Sequence, residues 1–404
     1  MDDDVDVTVL RRDLERRRRV VSAIRQSVYT SPDPSSDETL LRRLADEEAA
    51  VEGLEGRLRE AASGAEKGGA PRAESPTRGR FLGARTTGLR VEPTLNMQPI
   101  PTGIYHLLDP ETDPLLTVVV GNESRDPRRV CIKVHLEGLS AQAVRTIEIE
   151  PRKQVSLKLL PTLLADRARA VTEIQRATLH VLAEDLDGKP ESHDTYSVVC
   201  LSRTSSFNAV RRPDTGQTVD LSHYYGAWVT PHDEEVQKVI RKAADLVPDR
   251  EIWGYQGDPE SVPRLVGALY QALKDAGITY VNSVIDYGSP PGQATQRTRL
   301  PRESLTGRAA NCIDGTVLFA SLLEGCSLNP AIVLVPGHAF VAWETWDGSD
   351  EWQYLETTMI GRAEFGAACA SGQKLYDETL KYGRARLTVH KLADLRRRGI
   401  WPME

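Results

Sequence analysis

The chain has 404 residues, 40% of them hydrophobic and 27% charged, with a formal net charge of −7. That length exceeds what one core usually holds, so two to four units are expected, and the acidic balance argues against direct nucleic-acid binding, which needs a surplus of Lys and Arg. No apolar run approaches the ~18 residues of a membrane-spanning helix, and the acidic start MDDDVDV lacks the pattern of an export signal, so the expectation is a cytoplasmic protein with no membrane association.

The first predicted unit, residues 5–60, is an antiparallel helical hairpin or coiled coil. Leu10, Leu14, Arg17, Val21, Ile24 and Val28 step by 4 and 3, and Leu40, Leu44, Glu47, Val51, Leu54 and Leu58 repeat that stepping. TSPDPSS between them cannot stay helical, and Ser35 with Glu38 makes a capping box for the second helix. Folding the pair about this turn sets Leu10 against Leu58 and Ile24 against Leu44, and it brings the two seam breakers, Arg17 and Glu47, into adjacent layers as an ion pair. Residues 61–89 are rich in Gly, Pro, Ser, Arg and Glu, the composition of a flexible linker.

From residue 90 to 208 the period changes to two. Val130, Ile132, Val134 and Leu136 alternate with Arg129, Cys131, Lys133 and His135, and LTVVV, VRTIEIE, QVSLKLL, RATLHVLAE and TYSVVCLS are further runs between turn clusters. Short strands at this spacing predict an immunoglobulin-like β-sandwich without the Cys-Trp-Cys core of antibodies. Either this module or the hairpin is expected to hold a protein partner.

Residues 209–404 mix helix and strand. Thr230, Pro231 and Asp233 read as a helix start, with the threonine hydroxyl as cap, before the stripe Val236, Val239, Ile240, Ala243. A second helix opens near Asp258 and ends at Gly277, before ITYVN. NCIDGTVLFASLLE then reads as a helix buried on more than one side, with Cys312 in its first turn. Unpaired amides and the positive end of the dipole favour a thiolate there, the form that acts as a nucleophile. His338 follows after the strand AIVLV and a Pro336-Gly337 turn, placed to act as general base and acid. Glu356, in WQYLETTMI, is the candidate to orient the imidazole.

The two strands carrying His338 and Glu356 put both on one face only if paired residues sum to an even number. A loop centred on Asp347 or on Gly348 does so, whereas a two-residue Asp347-Gly348 turn, which Asp-Gly favours, does not. Gln256 and Gln296 are the side-chain candidates for a second oxyanion donor beside the Cys312 amide. Asp314 reads as a complement to the helix start. A metal site on Cys312, Cys326 and His338 lacks further ligands at close spacing, so no metal and no cofactor is expected. The five cysteines, odd in number and scattered, read as free thiols.

These blocks resemble a known family. NCIDGTVLFASLLEGCSLNPAIVLVPGHAFVAW followed by YLETT is similar to the transglutaminase-like branch of the papain-fold superfamily, whose members usually carry aspartate where this chain has Glu356. GYQGDPESVPRLVGALYQALKDAGITYV, QRTRLPRESL, PGHAFVAW and RRRGIWP resemble a bacterial version of the domain, often found ahead of helicase-type modules. The resemblance implies an α+β papain-like fold from about Ala227 onward and a cysteine peptidase acting on a protein or peptide substrate. Amine-transferring cross-linking and a non-catalytic scaffold are the alternatives.

Overall fold

Strands with one wet and one dry face bury their apolar residues only by pairing sheets, and the central third of the chain does this. The computed structural model describes residues 88–187, 191–213, 215–258, 260–281, 295–383 and 387–403, together with helical positions between Leu10 and Arg57. One three-stranded sheet places β1 (Leu89–Leu95) and β5 (Gln154–Leu159) on either side of β2 (Leu116–Asn122). A four-stranded sheet has the order β4 (Ala143–Ile149), β3 (Arg128–Leu136), β6 (Gln175–Asp185), β7 (Glu191–Cys200). All neighbouring pairs in both sheets are antiparallel. Leu116, Val118 and Val120 share an apolar core with Val130, Ile132, Val134, Leu179 and Val181. Each such side chain, fully withdrawn from water, contributes about 1.5–3 kcal/mol. Leu89, the last residue of the predicted linker, pairs with Asn122.

Short strands join this region to the rest. β8 (Ser205–Phe207) and β9 (Ala209–Arg211) follow it, with β9 paired to β10 (Thr218–Asp220). β11 (Thr279–Tyr280) runs parallel to β13 (Ala309–Ala310), and β12 (Thr295–Arg297) pairs antiparallel with β8. Arg203 at the end of the strand region also bonds Glu303 at 2.5 Å. Pro76–Glu404 accordingly forms one compact unit.

The remaining sheet has the order β16 (Trp352–Leu355), β15 (His338–Glu344), β14 (Pro330–Val335), β17 (Thr388–Lys391). Every residue of β15 is buried because both of its faces are covered. Ala339, Val341 and Trp343 belong to the core shared with helix Cys312–Gly325, while Phe340 and Ala342 pack with Tyr354, Leu375 and Tyr376 on the side of helix Phe365–Gly383. Helix Cys312–Gly325 is buried from Ile313 to Leu323. Its far end is held by Arg396 of the terminal RRRGIWP run, which donates to both Glu324 carboxylate oxygens (2.9 and 2.8 Å) and to the carbonyls of Gly226, Val229 and Ile400.

Helix Glu234–Ala244 starts three residues later than the sequence predicts. Asp233 is its cap, accepting from the Glu235 amide at 3.0 Å, while the Thr230 hydroxyl is buried without a partner among the described residues. Asp233 wins because its carboxylate both caps the turn and pairs with Arg302 at 3.3 Å.

Met1–Ser75 is a separate unit. Its described residues are helical; Leu10, Leu14 and Leu54 form an apolar cluster with Val51, and Arg17 Nη1 meets Glu47 Oε2 at 2.6 Å. These contacts run antiparallel. Leu44, Leu58, Ser35, Glu38 and residues 61–87 lie outside the described residues. Among the described residues no helix is long and apolar enough to cross a membrane.

Candidate active site

The site begins with a helix start that is capped on all sides. Asn311 is the cap residue; its side chain accepts from the Asp314 amide at 2.8 Å, and Asp314 returns the bond by accepting from the Asn311 amide at 3.1 Å. Asp314 also accepts from the Arg299 amide (2.7 Å) and guanidinium (2.8 Å), so its carboxylate is committed to holding the turn. Cys312 occupies the first helical position, half-buried, and its carbonyl accepts from Thr316 Oγ1 at 2.7 Å. At this position the Cys312 and Ile313 amides have no intrahelical acceptor, which leaves them as donors toward a ligand at the thiol.

His338 opens β15 after a two-residue turn from β14, with Val335 opposite His338. Its Nε2 lies 2.6 Å from Glu356 Oε2, and its imidazole shares a hydrogen bond with the Cys312 thiol, which leaves Nδ1 on the thiol side. Glu356 is fully buried, one residue beyond β16, where it caps a 3-10 turn, Thr357–Met359. Its second oxygen accepts from the Thr358 amide (2.9 Å) and hydroxyl (2.7 Å). The acid therefore has three donors, two of which fix its orientation independently of the histidine.

Register decides whether these groups can meet. Val341 pairs with Leu355 and Glu344 with Trp352, an even sum that centres the loop on Gly348 and sets Glu356 diagonal to His338. The Asp-Gly two-residue turn is not formed. Gly348 and Asp350 take positive φ (71° and 55°), and the Glu344 carboxylate accepts from the Asp350 amide at 2.8 Å and from Asn329 Nδ2 at 2.8 Å. The longer loop wins because its Asp350 amide satisfies the Glu344 oxygen that Asn329 does not reach. Gly315 completes the arrangement: a Cβ there would lie 2.8 Å from Thr357 Oγ1, so only glycine lets the acid-bearing turn come this close to the thiol helix.

The electrostatics follow from burial and pairing. Burial works to lower the His338 pKa, but the Glu356 charge and the hydrogen bonds with Cys312 and Glu356 hold it well above the ordinary imidazole value. Burial works to raise Glu356, but His338 and the two Thr358 donors hold it below the usual carboxylate range. Both shifts favour an imidazolium–carboxylate pair beside the thiol.

Not every candidate gathers here. Gln256 does not: it is exposed in a turn packed against the carboxyl end of helix Cys312–Gly325, where a Cβ on neighbouring Gly254 would lie 2.6 Å from Cys326 O. Fourteen helical residues at ~1.5 Å each put that end about 20 Å from the thiol, so Gln256 cannot reach an oxyanion at Cys312. Cys326, at the same end, is equally remote, which separates it from Cys312 and His338 as a ligand. Gln296 lies on β12, near the helix start, and its amide is donated to the Arg297 carbonyl (2.8 Å), which also accepts from Asn311 Nδ2 (3.2 Å). Two tyrosines do gather here. Tyr225, whose hydroxyl donates to Asn208 Oδ1 at 2.6 Å, and Tyr280 on β11 are both pushed up in pKa, first by burial and then by the neighbouring Cys312. The signal that could have found Tyr280 is its place on the short strand after helix Ser261–Asp275, but its parallel pairing with Ala309–Ala310 is not written in either segment. Comparison of the sequence with protein-family models and with curated proteins finds no match.

Proposed function

We propose that the protein is a cysteine-dependent acyl-transfer enzyme, a transglutaminase-like peptidase that cleaves a peptide or isopeptide bond through a thioester on Cys312. The observation that supports this reading is the continuous chain from a half-buried thiol at a helix start, through His338, to the buried Glu356 at 2.6 Å. The Cys312 sulfur attacks the carbonyl carbon, and the oxyanion is met by the Cys312 amide at the helix start. The C–N bond breaks as the imidazolium delivers its proton to the leaving nitrogen. Water then attacks the thioester with the neutral imidazole taking its proton, and the sulfur leaves to restore the thiolate–imidazolium pair. Throughout, Glu356 holds the Nε2 proton and keeps Nδ1 directed at sulfur.

In the same proposal residues 209–404 form the catalytic domain with a papain-like fold, 90–208 an immunoglobulin-like sandwich and 5–60 a coiled-coil hairpin, either of the last two holding a protein partner, in a cytoplasmic bacterial protein that needs no cofactor. Intact-mass analysis after exposure to a thiol-directed peptide electrophile tests it. One adduct per chain is expected in the wild type and none in Cys312→Ala; labelling that persists in Cys312→Ala overturns the assignment.

A further inference from the structure

Near the reaction centre the described arginines differ in what holds their charge. Arg299, Arg302 and Arg203 in the surrounding elements pair with Asp314, Asp233 and Glu303. Arg362 is exposed, and among the described residues no carboxylate pairs with it. It lies just beyond the turn that Glu356 caps, its amide donating to Met359 O at 3.0 Å, and its guanidinium sits over the Tyr280 ring, 5.8 Å from the centroid.

The ring itself is held from two sides. Tyr280 is opposite Ala310, two residues before Cys312, and the Val281 amide donates to Ala310 O at 2.9 Å. On the other side Gly361, at φ 85°, comes so near β11 that a Cβ would lie 3.0 Å from Ile278 O. The half-buried phenol therefore neighbours both the strand leading into the thiol helix and the guanidinium, and the charges of Cys312, His338, Glu356 and Arg362 act on it together. A second cation beside the His338 imidazolium does nothing for the resting pair, since like charges oppose each other. A substrate carboxylate would turn it into a binding contact, with planar N–H donors matched to two oxygens.

We propose that Arg362, stacked on Tyr280, binds an acidic side chain flanking the scissile carbonyl, so that the enzyme prefers substrates with Glu or Asp beside the bond that Cys312 attacks. This inference rests on the acyl-transfer reading and specifies its substrate class.

The test uses the full chain and three peptide chloromethyl ketones that differ only in carrying Glu, Gln or Lys at the residue bearing the ketone, with Cys312 alkylation followed by intact mass. The Glu probe should react roughly 5–20-fold faster than the Gln probe and the Lys probe slowest, a spread expected of a partly screened charge-assisted pair. The preference should shrink as salt rises from about 0.05 to 0.5 M. Arg362→Gln should bring all three rates within about twofold, while Arg264→Gln, a charge change at the far end of the domain, keeps the spread. Equal rates in the wild type, or an acid preference that survives Arg362→Gln, overturn the subsite while leaving the acyl-transfer reading intact. Failure of every peptide probe to label Cys312, with iodoacetamide labelling it normally, removes both.

Discussion

Replacing Glu356 by Gln changes one charge and no volume, so its effect can be worked out atom by atom. Glu356 Oε1 receives two Thr358 donors and Oε2 receives His338 Nε2. In the variant the amide oxygen keeps the Thr358 bonds, which turns the NH2 group toward the imidazole. Two donors then face each other unless the ring moves its proton from Nε2 to Nδ1, and Nδ1 is the atom that must accept from the thiol. The favoured tautomer is therefore the unproductive one, and the imidazolium also loses its counter-charge. Loss of an orienting carboxylate lowers turnover by about 10²–10⁴, or roughly 2.7–5.4 kcal/mol of barrier. Stability should fall less, by about 1–3 kcal/mol, since the Thr358 bonds persist and the imidazole can become neutral.

The pH dependence carries the sign. A raised His338 pKa contributes stability that is fully present below ~6.5 and lost as pH rises through the folded value, and a lowered Glu356 pKa contributes stability present above ~4.3 and lost as pH falls through its folded value. Peptide turnover, which needs the imidazolium as proton donor, should thus persist in the wild type to an alkaline limit well above 6.5, and in Glu356→Gln that limit should move to lower pH because burial still opposes the imidazolium. Rates of Cys312 alkylation and of peptide turnover between pH 5 and 10, with thermal unfolding at each pH, measure all three effects. Turnover near the wild-type value with an unmoved alkaline limit would refute the orienting role.

Three further outcomes are expected. Burial pushes the thiols of Cys326 and half-buried Cys369 up to about 12, so iodoacetamide mapped by peptide mass at pH 7 should modify Cys312 first. Gly315→Ala forces a methyl group against Thr357 and should cost about 1–3 kcal/mol in denaturant unfolding, with slower Cys312 alkylation as the acid-bearing turn is displaced. Arg396→Met strands Glu324 and three carbonyls at the far end of the thiol helix and should destabilise the fold by about 2–4 kcal/mol without altering the ratio of peptide to iodoacetamide reactivity.

Local chemistry is legible in a sequence wherever short-range rules dominate. The run Val130–Leu136 alternates because a strand turns successive side chains to opposite faces, and it forms β3. Cys312 precedes an apolar stretch with Asn311 and Asp314 in capping positions, and the helix starts there. The Arg17–Glu47 pair follows from heptad symmetry alone. Distances across the fold are another matter. Composition offered Gln256 and Gln296 on equal terms, and only packing put one at each end of the thiol helix. Thr230 and Asp233 were both competent caps, and the choice went to the carboxylate that also met Arg302. The Asp347-Gly348 pair carried a turn preference worth little beside the buried Glu344, whose need for donors set the longer loop and with it the parity that brings Glu356 to His338. Tyr280 comes to the thiol helix through a parallel strand pair, and Arg362 comes to Tyr280 beside a close glycine contact, neither of which leaves a periodic trace. Short-range geometry is written residue by residue, whereas which distant surfaces meet depends on burial and hydrogen-bond demand summed over the whole unit.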